Sequence, residues 1–244
     1  MKSFLLMITF LTRIPFPIKF EFNGETFVKG ILFFPIIGVI IGALLSPIAL
    51  LSNVLPNTYV NVFIIIGYLI IVGGLHLDGL ADVCDGIFSC RKRERVFEIM
   101  SDSLIGAFGV ISLVLYFLTF FVFLNPQWQV VLAFPIVGRC VGLITCGLFN
   151  YAKNEGMGKA MVDKATLKYA LYAFVFGLVS TYLLGWVTLF AYGITVIISL
   201  LMVLRINKIL GGITGDVIGL ILETSQILFL ISTGVGGILW TFIL

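Results

Sequence analysis

Long apolar stretches alternate with short polar connections along this chain. Crossing a hydrocarbon core of about 30 Å takes roughly 20 helical residues. Runs near that length fall at residues 31–51, 59–77, 104–124, 130–149, 167–186, 187–204 and 217–243. The pattern predicts an all-α integral membrane protein, a polytopic bundle of about seven transmembrane helices. The stretch 187–204 follows its predecessor almost without a loop, so those two helices are expected to pair tightly. Residues 1–22 mix apolar runs with Lys2, Arg13, Lys19, Pro15 and Pro17, which reads as an interfacial helix followed by a turn.

Composition sharpens the class. The chain is 60% hydrophobic and 11% charged, against about 45–50% and 25% in soluble domains. Water is a poor solvent for it, and a lipid bilayer is the expected partner. No polar linker or low-complexity block divides residues 1–244. A single membrane-embedded domain is expected, with residues 1–30 as an N-terminal arm and 78–103 as the main catalytic loop. Arg13 interrupts the first apolar run and no small-residue cleavage site follows, so no cleavable signal peptide is expected. The four cysteines show no C-x-x-C spacing and read as free thiols.

Charge placement sets topology. Connections 52–58, 125–129 and 185–186 carry no charged side chain, whereas the N-terminal arm, 78–103, 150–168 and 205–216 hold nearly all of them. By the positive-inside rule the charged connections are cytoplasmic, in a cell-membrane protein with its N-terminus inside. The net charge of +3 fits such loops and points to no nucleic-acid partner. Chemistry-capable side chains gathered at one interface favour an enzyme over a transporter that uses aspartates as an ion site.

Candidate chemistry concentrates after the second apolar run. Asp78, Asp82 and Asp85 stand at i, i+4 and i+7 and share one face of a helix. Carboxylates on one stripe repel, and a divalent cation such as Mg²⁺, which also bridges to substrate phosphates, would relieve them. The other reading is a solvated acidic face balanced by Arg91, Lys92, Arg93 and Arg95. A second acidic pair, Glu98 and Asp102, closes the loop and allows a two-metal phosphoryl-transfer site. The basic run from Arg91 to Arg95 either binds phosphate or holds anionic lipid head groups. His76 suits general-base chemistry near neutral pH, although helical phase turns it away from the aspartate stripe. Arg139 and Glu223 fall inside predicted spans, where charge is usually functional or paired. Either they pair with each other, or Arg139 lines a polar cavity. Thr214 and Asp216 open the last span and read as a further substrate contact.

Gly74-Leu-His76-Leu-Asp78-Gly79-Leu-Ala-Asp82-x-x-Asp85-Gly86 resembles the signature of the cobalamin synthase family, the adenosylcobinamide-GDP ribazoletransferases. The similarity continues in Phe10-Leu-Thr-Arg13-Ile-Pro15, Ile99-Met-Ser-Asp102-Ser103, Gly138-Arg139 and Gly212-x-Thr214-Gly215-Asp216, in the family's order. Val83, Cys84 and Ser101 depart from that pattern, but no acidic position is lost. The resemblance implies a Mg²⁺-requiring reaction of adenosylcobinamide-GDP with α-ribazole or its 5′-phosphate, releasing GMP and forming adenosylcobalamin or its 5′-phosphate. It implies metal at Asp78, Asp82, Asp85 and Asp102, with one of these carboxylates as base and His76 beside them. Substrate contacts are expected at Arg91, Glu98, Arg139, Thr214 and Asp216, and an oligomer is allowed. Asp82-x-x-Asp85-Gly86 is also similar to the motif of CDP-alcohol phosphotransferases, but Ser89-Cys90-Arg91 stands where that motif continues Ala-Arg.

Overall fold

The computed structural model describes residues 2–15 and 24–243. A short helix α1 (Lys2–Leu11) and the helical start α2 (Gly24–Lys29) lead through a 3-10 turn into α3 (Phe34–Ala49). Next come α4 (Asn57–Val72), α5 (Leu75–Phe88), α6 (Arg93–Met100), α7 (Ala107–Phe123) and α8 (Trp128–Leu148). The chain ends with α9 (Met157–Lys164), α10 (Leu167–Leu184), α11 (Trp186–Leu210) and α12 (Gly215–Ile243). No strand occurs among the described residues, where extended pairing is a parallel bridge between Tyr151 and Ile213.

Five segments are continuous, long and apolar enough to cross a membrane: 24–53, α8, α10, α11 and 215–236 of α12. The first begins seven residues before the run expected at 31. The apolar run 59–77 is broken instead, because α4 and α5 meet at 95°. The run 104–124 becomes the 17-residue α7, about 25 Å long. The all-α membrane bundle is therefore as expected. The turn expected around Pro17 and Lys19 lies outside the described residues.

α8 is the central post, with α3, α10 and α12 packed around it. Of its spanning window 89% is buried, against 22% in α10, whose apolar side chains face outward. A helix apolar on all sides belongs in an interior, and small residues let its neighbours approach. A Cβ on Gly38 or Gly42 of α3 would lie within 3 Å of the α8 backbone at Pro135 and Leu132. Lipid tails give helices no hydrophobic reason to associate, so such close packing carries the association.

The charged connections meet at one end of the bundle. Arg93 donates from Nε to the Leu210 carbonyl (2.6 Å) and from Nη2 to that of Ala152 (3.2 Å), which ties three of them together. The N-terminal arm meets the end of α4, with the Arg13 amide donating to the Ile71 carbonyl at 2.6 Å.

Candidate active site

The break between α4 and α5 is built on Gly73, whose φ of +75° suits glycine. A Cβ there would sit 2.7 Å from Arg13 Nε. Beyond it α5 turns aside and crosses the start of α12. At the crossing a Cβ on Gly79 would lie 2.8 Å from Asp216 Cα, and one on Gly219 would lie 3.1 Å from the His76 carbonyl oxygen. Two glycines thus let two backbones nearly touch, which brings Asp216 to the aspartates of α5.

Asp82 is half-buried and lies outside the five continuous spans. Burial first, then the charges of Asp78, Asp216 and Asp85, push its carboxyl up to about 6, against the opposing pull of Lys153. Both oxygens of Asp85 accept backbone amides at the start of α7, from Gly106 (2.7 Å) and Gly109 (2.9 Å). That is helix capping by a carboxylate, favoured by the exposed amides and the helix dipole. The stripe expected on α5 therefore divides, with Asp78 and Asp82 facing Asp216 while Asp85 fastens the loop to α7. Asp102 is exposed and accepts the Leu104 amide at 3.0 Å. Among the described residues, no three His, Cys, Asp or Glu side chains close around one point as a metal cage would.

Thr214 is buried. Its hydroxyl donates to Asp216 (3.3 Å) and accepts the Val217 amide (3.2 Å), so it caps α12 and steadies the aspartate. Arg91 is exposed, and Glu98 pairs with Arg95 at 2.5 Å on the surface. The basic group that reaches the cluster is Lys153. Its loop is held beside residue 213 by Ala152 N to Ile213 O (2.8 Å) and Ile213 N to Asn150 O (2.9 Å). A cleft of about 310 Å³ opens here, and its polar lining includes His76, Tyr151, Lys153, Glu155 and Asp216. Phe10, Phe34, Leu75, Met161 and Leu222 are among its apolar lining.

Arg139 does not line that cleft. It is fully buried within the bundle and donates to Gln226 Oε1 (3.2 Å) and weakly to the Tyr68 hydroxyl (3.4 Å). Glu223 accepts Tyr116 (2.6 Å), Tyr68 (2.9 Å) and Gln226 (3.2 Å). The two charges thus share a polar network without touching, and Arg139 Nε and Nη2 have no hydrogen-bond partner among the described residues. His76 lies between this network and the cleft, with Nδ1 3.6 Å from Glu223.

The model of the family described as cobalamin-5-phosphate synthase matches residues 3–234. The chain belongs to that family. An adenosylcobinamide-GDP ribazoletransferase of Alkaliphilus oremlandii is 40% identical, over 95% of this chain and 96% of its own length. Proteins of the same name from Acetivibrio thermocellus and Clostridium acetobutylicum are 36% and 34% identical, each match covering 95% of this chain and at least 95% of theirs. No solved structure matches the chain.

The cobalamin-5-phosphate synthase family comprises transferases of cobalamin biosynthesis, so the chain is an enzyme of that synthesis. Its geometry adds residues that spacing did not single out. Lys153 and Tyr151 sit in a loop of ordinary polar composition. Tyr68, Tyr116 and Gln226 are isolated polar positions in apolar helices. The available signal was burial of a hydroxyl or amide in a lipid-solvated bundle, where each must find a partner.

Proposed function

We propose that this enzyme transfers the phosphate-bearing cobinamide of adenosylcobinamide-GDP to α-ribazole or α-ribazole 5′-phosphate. GMP is released, and adenosylcobalamin or its 5′-phosphate forms. The observation that carries the reading is the meeting of Asp78, Asp82 and Asp216 beside a Lys153-lined cleft, in a chain of this family. Mg²⁺ fits the donor set, which is all carboxylate oxygen. Because no three ligands close on one point, the ion would keep several waters, as Mg²⁺ commonly does when it is shared with a phosphate. When bound, it would neutralise charge on the diphosphate.

The remaining work belongs to the chain's own groups. Lys153 faces the same field of carboxylates and supplies positive charge for a phosphate oxygen. The ribazole hydroxyl attacks the cobinamide-side phosphorus, and the bond from that phosphorus to the bridging oxygen breaks. GMP leaves with the electron pair, and the hydroxyl proton passes to a carboxylate oxygen of the cluster not engaged by the ion. Asp85 keeps the loop after α5 closed on α7, and Thr214 holds Asp216 in place. The excess of basic residues near this end supports a cytoplasmic orientation.

Purified protein is expected to release GMP only when adenosylcobinamide-GDP, α-ribazole and Mg²⁺ are all present, and to stop when EDTA is added. Release of CMP from a CDP-activated lipid and an alcohol, with no GMP release, would assign it instead to CDP-alcohol chemistry.

A further inference from the structure

The cleft beside the aspartates is lined by apolar side chains from α1, α3 and α5 and by polar ones from the connection before α9 and the start of α12, and that mixture identifies an occupant. We propose that it is the preformed seat of the acceptor nucleoside, with the base against Phe10, Phe34 and Leu75 and the ribose at Tyr151, Lys153 and Asp216. The proposal rests on the reaction above and assigns one of its two substrates to a place.

Size is the first argument. At about 310 Å³ the cleft lies at the bottom of the range of roughly 300–1,000 Å³ that holds small ligands. A corrinoid ring with its side chains does not enter such a space. A nucleoside does.

Chemistry separates the two nucleosides of the reaction. Guanine carries an amino group, a carbonyl and ring nitrogens around its edge, and burying them against phenylalanine and leucine would leave them unpaired. The dimethylbenzimidazole of α-ribazole presents methyl groups and a flat apolar face with a single acceptor nitrogen, so it loses far less there.

Position gives the third argument. Asp216 lines the cleft and also acts on Asp82. A base lodged against Phe10 and Leu75 would leave its ribose hydroxyls for Lys153 and Asp216, where the phosphoryl group must arrive. Specificity for the lower base then follows from the apolar residues, and preference for a 5′-phosphate follows from Lys153.

Equilibrium binding of α-ribazole to the full-length protein in detergent, with no corrinoid present, tests this directly. Two variants accompany the wild type. Leu75→Glu puts a charge on the apolar rim at a half-exposed site in the first turn of α5, where an acidic residue suits the helix. Phe10→Ala removes one aromatic wall. Saturable binding by the wild type is expected, weakened at least tenfold by Leu75→Glu and about fivefold by Phe10→Ala. The KM for α-ribazole should rise in parallel, while that for adenosylcobinamide-GDP stays within twofold. Ribazole binding unchanged in both variants, absent in the wild type, or replaced by a rise in the corrinoid KM would overturn the assignment. Saturable ribazole binding that Leu75→Glu abolishes, in a protein that releases no GMP, would keep the cleft and refute the reaction. GMP release with ribazole affinity indifferent to both variants would keep the reaction and refute the cleft.

Discussion

Asp82→Asn lowers GMP release by roughly 10²–10³-fold, the scale on which one preorganised charge contributes to a transition state. The melting midpoint of the metal-free protein should hold or rise. Burial and then the neighbouring carboxylates raise the Asp82 carboxyl to about 6 in the fold, above the usual carboxylate range. A carboxyl that binds its proton more tightly when folded supports the fold below its unfolded value. It loses that support as pH rises through the folded value, so at pH 7.5 the ionised group is a burden that Asn removes. Asp85→Asn should behave differently. Its carboxylate accepts two amides at the start of α7, and an amide side chain offers only one oxygen to them. A cost of about 1–2 kcal/mol in stability is expected, seen as a lowered midpoint in thermal scanning together with reduced turnover. Equal midpoints for the two variants would contradict the division of roles between these aspartates.

Gly79→Val is the second large effect. Its Cβ would lie 2.8 Å from Asp216 Cα and 2.9 Å from the Asp216 carbonyl oxygen. Carbon atoms in contact prefer about 3.5–4.0 Å, and backbone cannot swing aside as a side-chain tip can. α5 and α12 must separate by the better part of an ångström, which moves Asp78 and Asp82 relative to Asp216. Misplacement on that scale costs about 10² in rate, and the overpacking adds about 1–3 kcal/mol of destabilisation. Gly74→Ala is the control, since a Cβ there meets nothing within 4 Å. Steady-state turnover and thermal midpoints of both variants check this, and a fully active Gly79→Val enzyme would show that the helix crossing does not set the site.

Much of the architecture was legible because the bilayer leaves few alternatives. Runs of apolar residues had to become helices, and alternating charge had to gather at one end, where Arg93 does tie three charged connections together. The break at Gly73 was hidden because residues on both sides are apolar, so 59–77 reads as one span by hydropathy alone. Only the paired glycines marked it. Nor does hydropathy distinguish α8 from α10. The difference lies in glycines that admit neighbours, and these acquire meaning only with a partner helix alongside.

The site was legible in part. Helical phase puts Asp78, Asp82 and Asp85 on one stripe of α5, but it could not register that Asp85 would be claimed by the amides of Gly106 and Gly109. Asp216 is far from Asp82 in sequence, and no spacing rule links them. Their meeting depends on the small size of Gly79. Asp102, nearer in the chain, faces outward instead. Arg139 and Glu223 were read either as a direct pair or as a cavity charge. Instead Tyr68 and Gln226 bridge them, a buried hydroxyl and amide that each reach both charges, while Arg139 Nε and Nη2 have no hydrogen-bond partner among the described residues.

Manganese binding to the detergent-solubilised full-length protein, followed by the paramagnetic resonance signal of the free ion, tests the heart of the account. A saturable site is predicted in the wild type, competed by Mg²⁺ and weakened at least tenfold when Asp82→Asn and Asp216→Asn are combined in a chain that still melts cooperatively. Undiminished affinity in that double variant, or no saturable site in the wild type, would contradict the claim that these carboxylates meet in order to hold a cation.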